Sequence, residues 1–290
     1  MSALTFATAQ ILRVLPRAGV SRVMGRLAEH EWSAPLGRAV VGLYTKAYDV
    51  RLEECDHSGD WRSFDEFFTR PLRQGVRPLH GDDRTIISPA DGRLDAPGDV
   101  DAAAVYWVKG RSYRAAELLG SDDEAERYRG GRACVIYLSP RDYHRVHSPV
   151  TGVVTEVRSM AGDYFPVNAI GIRHVPNLFA INRRVAIAID SRDFGRVTLV
   201  MVAAIVVGRV TVSGIAARDV PEGTHRLASP LSVSRGDEVG VFHLGSTVVM
   251  FMERGVQGPW LSREGAVRLG DPLLRQGEPR ARPGDATEAR

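Results

Sequence analysis

The stretch V-T-L-V-M-V-A-A-I-V-V, residues 197–207, is the most informative part of the sequence for the fold. Its apolar residues run almost without interruption, whereas a strand with one solvated face alternates apolar and polar residues. A strand buried on both faces has this composition. With the glycine that follows, the run reaches 12 residues, and a helix needs about 20 to span a bilayer. The stretch therefore predicts a central, doubly buried β-strand.

Short β-branched runs on both sides of this stretch continue the pattern from about Thr85 onward. Gly, Pro and Asp residues separate them, as is typical of strands joined by turns. The sequence therefore predicts a mainly antiparallel β core. The runs are Ile86–Ile87, Ala133–Leu138, Gly152–Val157, Val185–Ile189, Val210–Val212, Val239–Phe242 and Val248–Met252.

The first fifty residues have a helical pattern instead. Apolar residues recur at the i, i+3, i+4, i+7 spacing of one helix face, and the polar side is basic. Such a segment can lie on an anionic membrane surface, or it can pack on the protein's own core, and the pattern leaves both open. The apolar residues are Val20, Val23, Met24 and Leu27, then Leu36, Val40, Leu43, Tyr44 and Ala47; the basic ones are Arg13, Arg17, Arg22, Arg26, Arg38 and Lys46.

The fold class that follows is α+β, with N-terminal amphipathic helices on a mainly antiparallel β core. We predict an N-terminal amphipathic helical segment at 1–60 and a β-rich domain at 61–274; the family resemblance given below implies that the first is membrane-associating and the second catalytic. A flexible tail, rich in Pro, Gly, Arg and Glu, follows at 275–290.

Composition excludes several classes of protein. The 290 residues are 44% hydrophobic and 25% charged, which is ordinary for a globular chain and unlike a disordered or collagen-like one. The two cysteines, Cys55 and Cys134, form no CxxC and suggest reduced thiols in a cytoplasmic protein. A net charge of +3 without a nucleic-acid-binding motif predicts no nucleic-acid partner. The N-terminal residues lack the pattern of a secretory signal, so none is expected.

Two segments contain side chains suited to proton transfer. Asp91 precedes a glycine, a pair that commonly forms a turn. His144 and His147 lie three residues apart in a polar segment, and histidine is the side chain best suited to proton transfer near neutral pH. A metal site is not expected, because neither the glutamate of HExxH nor a cysteine ligand is nearby.

A third segment places Ser246 after Gly245 at the mouth of an apolar strand, where the backbone can bend sharply. One interpretation is a hydrolase in which Ser246 is the nucleophile and His147 and Asp91 serve it. The usual nucleophile elbow is G-x-S-x-G, whereas this segment is Leu-Gly-Ser-Thr. Each segment taken alone also fits an ordinary turn or a structural histidine.

Taken together and in order, fragments over most of the chain resemble phosphatidylserine decarboxylase, a pyruvoyl-dependent family of phospholipid synthesis. One departure is Arg183, where the family commonly has Glu; it could alter a local salt bridge or a substrate contact. The matching fragments are Phe67–Arg70, Arg77–Pro78, Pro89–Gly92, Lys109–Gly110 with Tyr113, Leu138–His147, Phe165–Asn168, Val175–Phe179, Val202–Ala204 with Val207–Gly208, Arg235–Gly240 and Leu244–Thr247.

The resemblance implies a proenzyme that cleaves itself between Gly245 and Ser246, giving a β chain, 1–245, and an α chain, 246–290. The Ser246 hydroxyl would attack the carbonyl of Gly245, which has no side chain to block attack and tolerates a strained turn.

By the same resemblance, His147 would act as the base and Asp91 would orient it, so that the two form a self-processing triad with Ser246. Ser246 would then become a covalent pyruvoyl group, the cofactor, which forms a Schiff base with the substrate amine. His144 would transfer a proton during decarboxylation.

The implied substrate is phosphatidylserine and the implied product phosphatidylethanolamine, at the cytoplasmic side of the cell membrane, with the enzyme peripheral and homodimeric. Three alternatives stay open. A soluble amino acid could be the substrate of a pyruvoyl-dependent lyase, a hydrolase would leave the chain intact, and a membrane adaptor without activity would need neither histidine.

Overall fold

The computed structural model describes residues 17–56, 60–167, 169–205 and 209–277. The chain has the predicted α+β fold, with helices leading into a β core. Both amphipathic segments form helices within the described ranges, and Phe64, Phe67 and Phe68 lie on a third, short helix. The helices in these ranges are α1 Arg17–Glu29, α2 Ala34–Tyr48, α3 Phe64–Phe68, α4 Ala115–Leu119, α5 Asp122–Arg127, α6 Ala169–His174 and α7 Leu178–Ile181.

The strands of the described ranges cover the predicted runs except the end of the longest one, 197–207. That strand ends at Ala203, and residues 206 and 207 lie outside the described ranges. The strands are β1 Thr85–Ile87, β2 Gly92–Asp99, β3 Val105–Val108, β4 Arg111–Arg114, β5 Arg132–Leu138, β6 Arg145–His147, β7 Gly152–Met160, β8 Arg184–Ser191, β9 Gly195–Ala203, β10 Arg209–Val212, β11 Gly223–Val233, β12 Glu238–His243, β13 Ser246–Met252, β14 Gly265–Val267 and β15 Pro272–Arg275.

An eight-stranded antiparallel sheet in the order β11-β7-β8-β9-β13-β5-β2-β14 forms the core. A second sheet, β10-β12-β6, packs beside it, because residues of both sheets share one apolar cluster. The pairs β1-β15 and β3-β4 form small separate sheets.

β9 is the doubly buried strand that the sequence predicts. It lies between β8 and β13, and its residues from Val197 to Ala203 are all buried. β13 alternates between the two faces of the sheet, with Met250 in one apolar cluster and Phe251 in the other. Because both faces are covered, Ser246, the first residue of β13, enters the sheet in its interior.

Helices α1 and α2 pack through small side chains and leave larger apolar ones in solvent. Ser21 and Ala28 are the buried side chains of α1, and Gly37 and Val41 are those of α2. Of the predicted apolar stripe, Tyr44 contacts Phe64 and Phe67, whereas several of the other residues do not contact the core. These are exposed by 54% at Val23, 60% at Leu27, 53% at Leu36 and 73% at Leu43.

Among the described residues, none of the helices combines the length and the apolar character that crossing a membrane requires. Cys55 and Cys134 are both buried free thiols. The predicted tail lies outside the described residues from position 278 onward, and the proposed segment boundaries stay predictions.

Candidate active site

The backbone is strained just before the Gly245–Ser246 bond. Leu244 connects β12 to β13 with a φ of 83°, in the left-handed region that side chains with a Cβ rarely adopt. Such a conformation costs about 1 to 3 kcal/mol and persists only where the surroundings hold it. Leu244 is only 5% exposed and packs against Ala28 of α1 and Phe68 of α3.

This finding corrects one expectation about Gly245. The strained conformation belongs to Leu244, and a Cβ placed on Gly245 would meet nothing within 4 Å. The glycine therefore leaves open space beside the bond instead of absorbing the strain of the turn.

His144 is a fully buried imidazole with one open nitrogen. Its Nδ1 donates a hydrogen bond to the Asp142 carbonyl at 2.8 Å, and its ring lies 4.0 Å from that of Phe68. Its Nε2 has no hydrogen-bond partner within the described ranges. Burial, reinforced by the nearby positive charge of Arg70, lowers the pKa of His144 from 6.5 to about 3. The ring is therefore neutral at physiological pH, with a lone pair on Nε2.

His147 is held at both ring nitrogens. Its Nδ1 donates to the Gly236 carbonyl at 2.8 Å, and the Tyr143 hydroxyl donates to its Nε2 at 3.0 Å. Burial raises the pKa of the Tyr143 phenol, so the hydroxyl keeps its proton. Burial also lowers the pKa of His147, although the Gly236 bond opposes this shift. His147 is thus a neutral base whose lone pair is occupied by Tyr143.

Asp91 is fixed by Arg77. The guanidinium donates to both carboxylate oxygens, at 3.0 Å from Nε and 2.6 Å from Nη2, and the Leu269 amide donates at 2.8 Å. The Asp91 segment lies beside His147, because the His147 amide donates to the Pro89 carbonyl at 2.8 Å. Within the described part of the chain, the Gly236 carbonyl takes the position on His147 Nδ1 that the sequence assigned to Asp91.

A cleft of about 390 Å³ opens next to Asp91. Tyr137 and Ser139 line it at the end of β5, whose last residue, Leu138, pairs with Ser246. The cleft is lined by arginines and carboxylates together. Its carboxylates are Asp49, Glu54, Asp91 and Asp142. Four of its arginines have half-exposed side chains and each lies within 4 Å of a carboxylate, so their guanidinium groups can turn to an anionic ligand only by exchanging partners. These arginines are Arg51, Arg93, Arg141 and Arg268.

Three residues without a predicted role position the predicted ones: Arg70, Arg77 and Tyr143. Arg77 and Tyr143 bind Asp91 and His147, as described above. The buried Arg70 donates to the carbonyls of Arg141, at 3.1 Å, and Asp142, at 3.4 Å. It thereby braces the segment that leads to His144. All three lie in fragments that match the family, so the sequence marks these positions without indicating what the side chains contact.

Arg183, where the sequence departs from the family, forms a salt bridge. Its Nη2 lies 2.8 Å from Asp219 Oδ1 and donates to the Val220 carbonyl at 2.9 Å. The residue therefore ties the start of β8 to the segment after β10.

Two buried polar atoms lack a hydrogen-bond partner among the residues that the structure describes, the Thr247 hydroxyl and His144 Nε2. Thr247 lies on the face of β13 that also carries Val249 and Phe251, which is opposite to that of position 246. The His144 ring contacts Phe68, which packs on Leu244. Buried polar atoms normally have partners, so His144 Nε2 fits a polar group such as a pyruvoyl carbonyl.

The sequence model of the phosphatidylserine decarboxylase family matches residues 64–275. Similar curated proteins are named phosphatidylserine decarboxylase proenzyme. The one from Anaeromyxobacter sp. (strain K) is 37% identical over 270 residues, covering 90% of this chain and 95% of the relative. Those from Myxococcus xanthus and Marinobacter nauticus are 35% and 38% identical, covering 90% and 83% of this chain and 95% and 87% of the relatives.

The fold and these similarities define a β-rich decarboxylase. The chain belongs to the phosphatidylserine decarboxylase family.

Proposed function

We propose that the protein cleaves itself between Gly245 and Ser246, and that the mature form decarboxylates phosphatidylserine to phosphatidylethanolamine. The observation that carries this proposal is the strained Leu244 in front of a Gly-Ser bond, in a chain whose relatives are named proenzymes. Cutting the bond after Gly245 releases the segment and relieves the strain at Leu244.

In the self-cleavage reaction, the Ser246 oxygen attacks the Gly245 carbonyl carbon. The bond from that carbon to the Ser246 nitrogen breaks, and an ester joins Gly245 to the serine oxygen. His147 accepts the hydroxyl proton at Nε2 once Tyr143 has released that nitrogen. The Gly236 carbonyl keeps the other proton on Nδ1, and the negative charge of Asp91 favours the imidazolium that forms.

The imidazolium gives the proton to the freed Ser246 nitrogen. Loss of a proton from the Ser246 Cα then breaks the bond between Cβ and the ester oxygen, which leaves a Gly245 carboxylate on one chain and a dehydroalanine at position 246 on the other. Its imine tautomer takes up water and releases ammonia, so that a pyruvoyl group remains.

When present at position 246, a pyruvoyl group supplies a carbonyl that condenses with the substrate amine and accepts electrons as CO₂ leaves. His144 accepts, at its open Nε2, the proton that the substrate ammonium loses when its nitrogen condenses with that carbonyl, and returns it to the substrate carbon after CO₂ has left. Because His144 is fully buried, water is kept from competing for the proton.

The exposed apolar residues of α1 and α2 support binding to a membrane surface. They lie on helices whose exposed basic residues include Arg22 and Arg26, a combination that favours anionic lipid. The arginines of the cleft beside Asp91 suit the phosphodiester and carboxylate of phosphatidylserine. Peripheral attachment at the cytoplasmic side and a homodimer stay predictions.

A serine hydrolase built on the same residues is less well supported. Its serine lies in Leu-Gly-Ser-Thr and not in a G-x-S-x-G elbow, and the similar curated proteins are named proenzymes. A decarboxylase of a soluble amino acid would not need the exposed apolar residues of α1 and α2.

Intact mass spectrometry under denaturing conditions tests the proposal. The expected result is two chains split after Gly245, the smaller one beginning with a pyruvoyl group, while Ser246→Ala stays a single chain. CO₂ release from phosphatidylserine vesicles, compared with release from free serine, then tests the substrate. A folded preparation that stays one chain would overturn self-cleavage and favour the hydrolase.

A further inference from the structure

A network of charged side chains holds the segment just before Leu244. Arg209 and His243 are directly opposite each other in the β10-β12 pair. Asp65 of α3 contacts both of them: its oxygens lie 2.8 and 2.9 Å from His243 Nδ1, and Oδ2 lies 2.8 Å from Arg209 Nη2. The Thr211 hydroxyl lies 3.3 Å from His243 Nε2, and Arg209 Nη2 lies 2.9 Å from the same Nδ1 that faces Asp65.

This network extends to helix α1. Arg209 Nη1 lies 2.7 Å from Glu29 Oε1, and Arg218 forms a further ion pair with Glu29. These residues line a cleft of about 290 Å³, which Leu244 also lines.

Helices α1 and α3 hold the two residues that precede Gly245. Asp65 of α3 binds His243, while Phe68 of α3 and Ala28 of α1 pack on the Leu244 side chain. Asp65 is only 8% exposed, so its charge depends on His243 and Arg209 for compensation. An unfavourable φ lasts only while its neighbours are fixed, and His243 is the immediate neighbour of the strained residue.

We propose that Asp65 is a positioning residue for self-cleavage. Through His243 it fixes the end of β12, so that Leu244 keeps its left-handed conformation and the Gly245 carbonyl stays presented to Ser246. This inference rests on the proposed function. Because Asp65 acts on the chain before the cut, its loss slows cleavage without changing decarboxylation by chains that have been cut.

The test follows cleavage in full-length chains after pulse-labelled cell-free synthesis. Asp65→Asn and His243→Gln should each lengthen the half-time about tenfold, and the double variant should be no slower than the slower single one, because both changes remove one contact. Asp65→Glu, which keeps the carboxylate, should restore part of the rate.

Two further measurements separate positioning from general destabilisation. CO₂ release per pyruvoyl group, counted by mass spectrometry, should equal that of the unmodified chain. Asp95→Asn is the matched control, since Asp95 is equally buried and paired, with Arg93 and Lys109 each at 2.9 Å. It should lower the melting temperature and leave the cleavage half-time unchanged.

Hydroxylamine identifies the step that is slowed, because it cleaves an ester at Gly245 to a hydroxamate and frees Ser246. It should not accelerate cleavage of Asp65→Asn, since the ester forms slowly there. Acceleration to the unmodified rate would place the defect after ester formation and overturn the inference. If both single variants cleave at the rate of the chain without substitutions, the role of Asp65 is overturned and the proposed function stands. If the chain without substitutions never cleaves, both the role of Asp65 and the proposed function are overturned.

Discussion

Lowering the pH from about 7.5 to about 5 should lower the free energy of unfolding of the uncleaved protein, and the buried His144 should cause about 2 kcal/mol of this loss. In the folded protein, burial lowers the pKa of His144 from 6.5 to about 3. Between these two values the unfolded chain binds a proton that the folded chain does not. The stabilising contribution is therefore complete above about pH 6.5 and is lost as the pH falls toward 3.

The size of the effect follows from the same pKa values. Each pH unit between the folded and unfolded pKa costs about 1.4 kcal/mol. At pH 5, about 1.5 units below the unfolded pKa, protonation of the unfolded chain should cost about 2 kcal/mol. The pKa of His147 is also lowered by burial, so it adds a loss in the same direction. Only a comparison with a His144 variant isolates the His144 contribution.

Urea unfolding in a Ser246→Ala background, which keeps one covalent chain, is the assay. His144→Asn retains a donor for the Asp142 carbonyl and does not titrate, so it should lose about 2 kcal/mol less than its parent over this pH range. His80→Asn, at an exposed position, is the matched control and should behave like the parent. If His144→Asn loses as much stability as the parent, His144 is not a buried neutral base and its assigned proton transfer fails.

Three shorter predictions test other contacts. Gly245→Ala should change the free energy of unfolding by less than about 0.5 kcal/mol in urea, since the added Cβ meets open space; a larger loss would contradict that geometry. Arg77→Ala should cost about 3 kcal/mol in the same assay, because Asp91 stays buried without its cation; a neutral result would mean that water replaces Arg77. Val23→Ser with Leu27→Ser should weaken sedimentation with phosphatidylserine vesicles about tenfold, and unchanged binding would exclude α1 from the membrane contact.

Hydrophobic patterning predicted the strands rich in β-branched residues and missed others, among them β2 and β11. β9 is buried on both faces and β13 alternates between two clusters, so both have a clear pattern. β2 contains Pro97 and changes register between Asp95 and Gly98. β11 contains Pro230, changes register and lies at the edge of the sheet, where proline is tolerated. An irregular strand interrupts the period on which the prediction depends.

The pattern also predicted helices α1 and α2 without predicting which face packs. The apolar residues Leu27 and Leu43 face solvent, while Ala28 and Gly37 are buried. A Cβ on Gly37 would lie 2.5 Å from the Trp32 Nε1. Small residues therefore allow the close approach, and hydrophobicity alone does not indicate this.

At the site, the sequence indicated which side chains could carry out the chemistry. The contacts that orient these side chains depend on the fold and could not be predicted. The carbonyl that fixes His147 belongs to Gly236, 89 residues away. Any residue has such a carbonyl, so its identity provides no signal. Arg77 and Asp91 are 14 residues apart, and their pairing depends on how the intervening segment turns back.

The position of β13 has a consequence for how the two chains of a mature protein would stay together. β13 hydrogen-bonds to β5 on one side and β9 on the other, and β14 and β15 from the same piece pair with β2 and β1. A chain that begins at residue 246 is thus interlaced with the rest and cannot dissociate unless the core opens. Since Leu244 packs on Ala28 and Phe68, we expect the proposed processing to follow assembly of these elements, so that the appearance of two bands would report a folded chain. Denaturation would separate the two pieces, and the covalent connection that had brought β13 between β5 and β9 would be gone. We therefore expect the cut protein to refold less completely than the uncut chain.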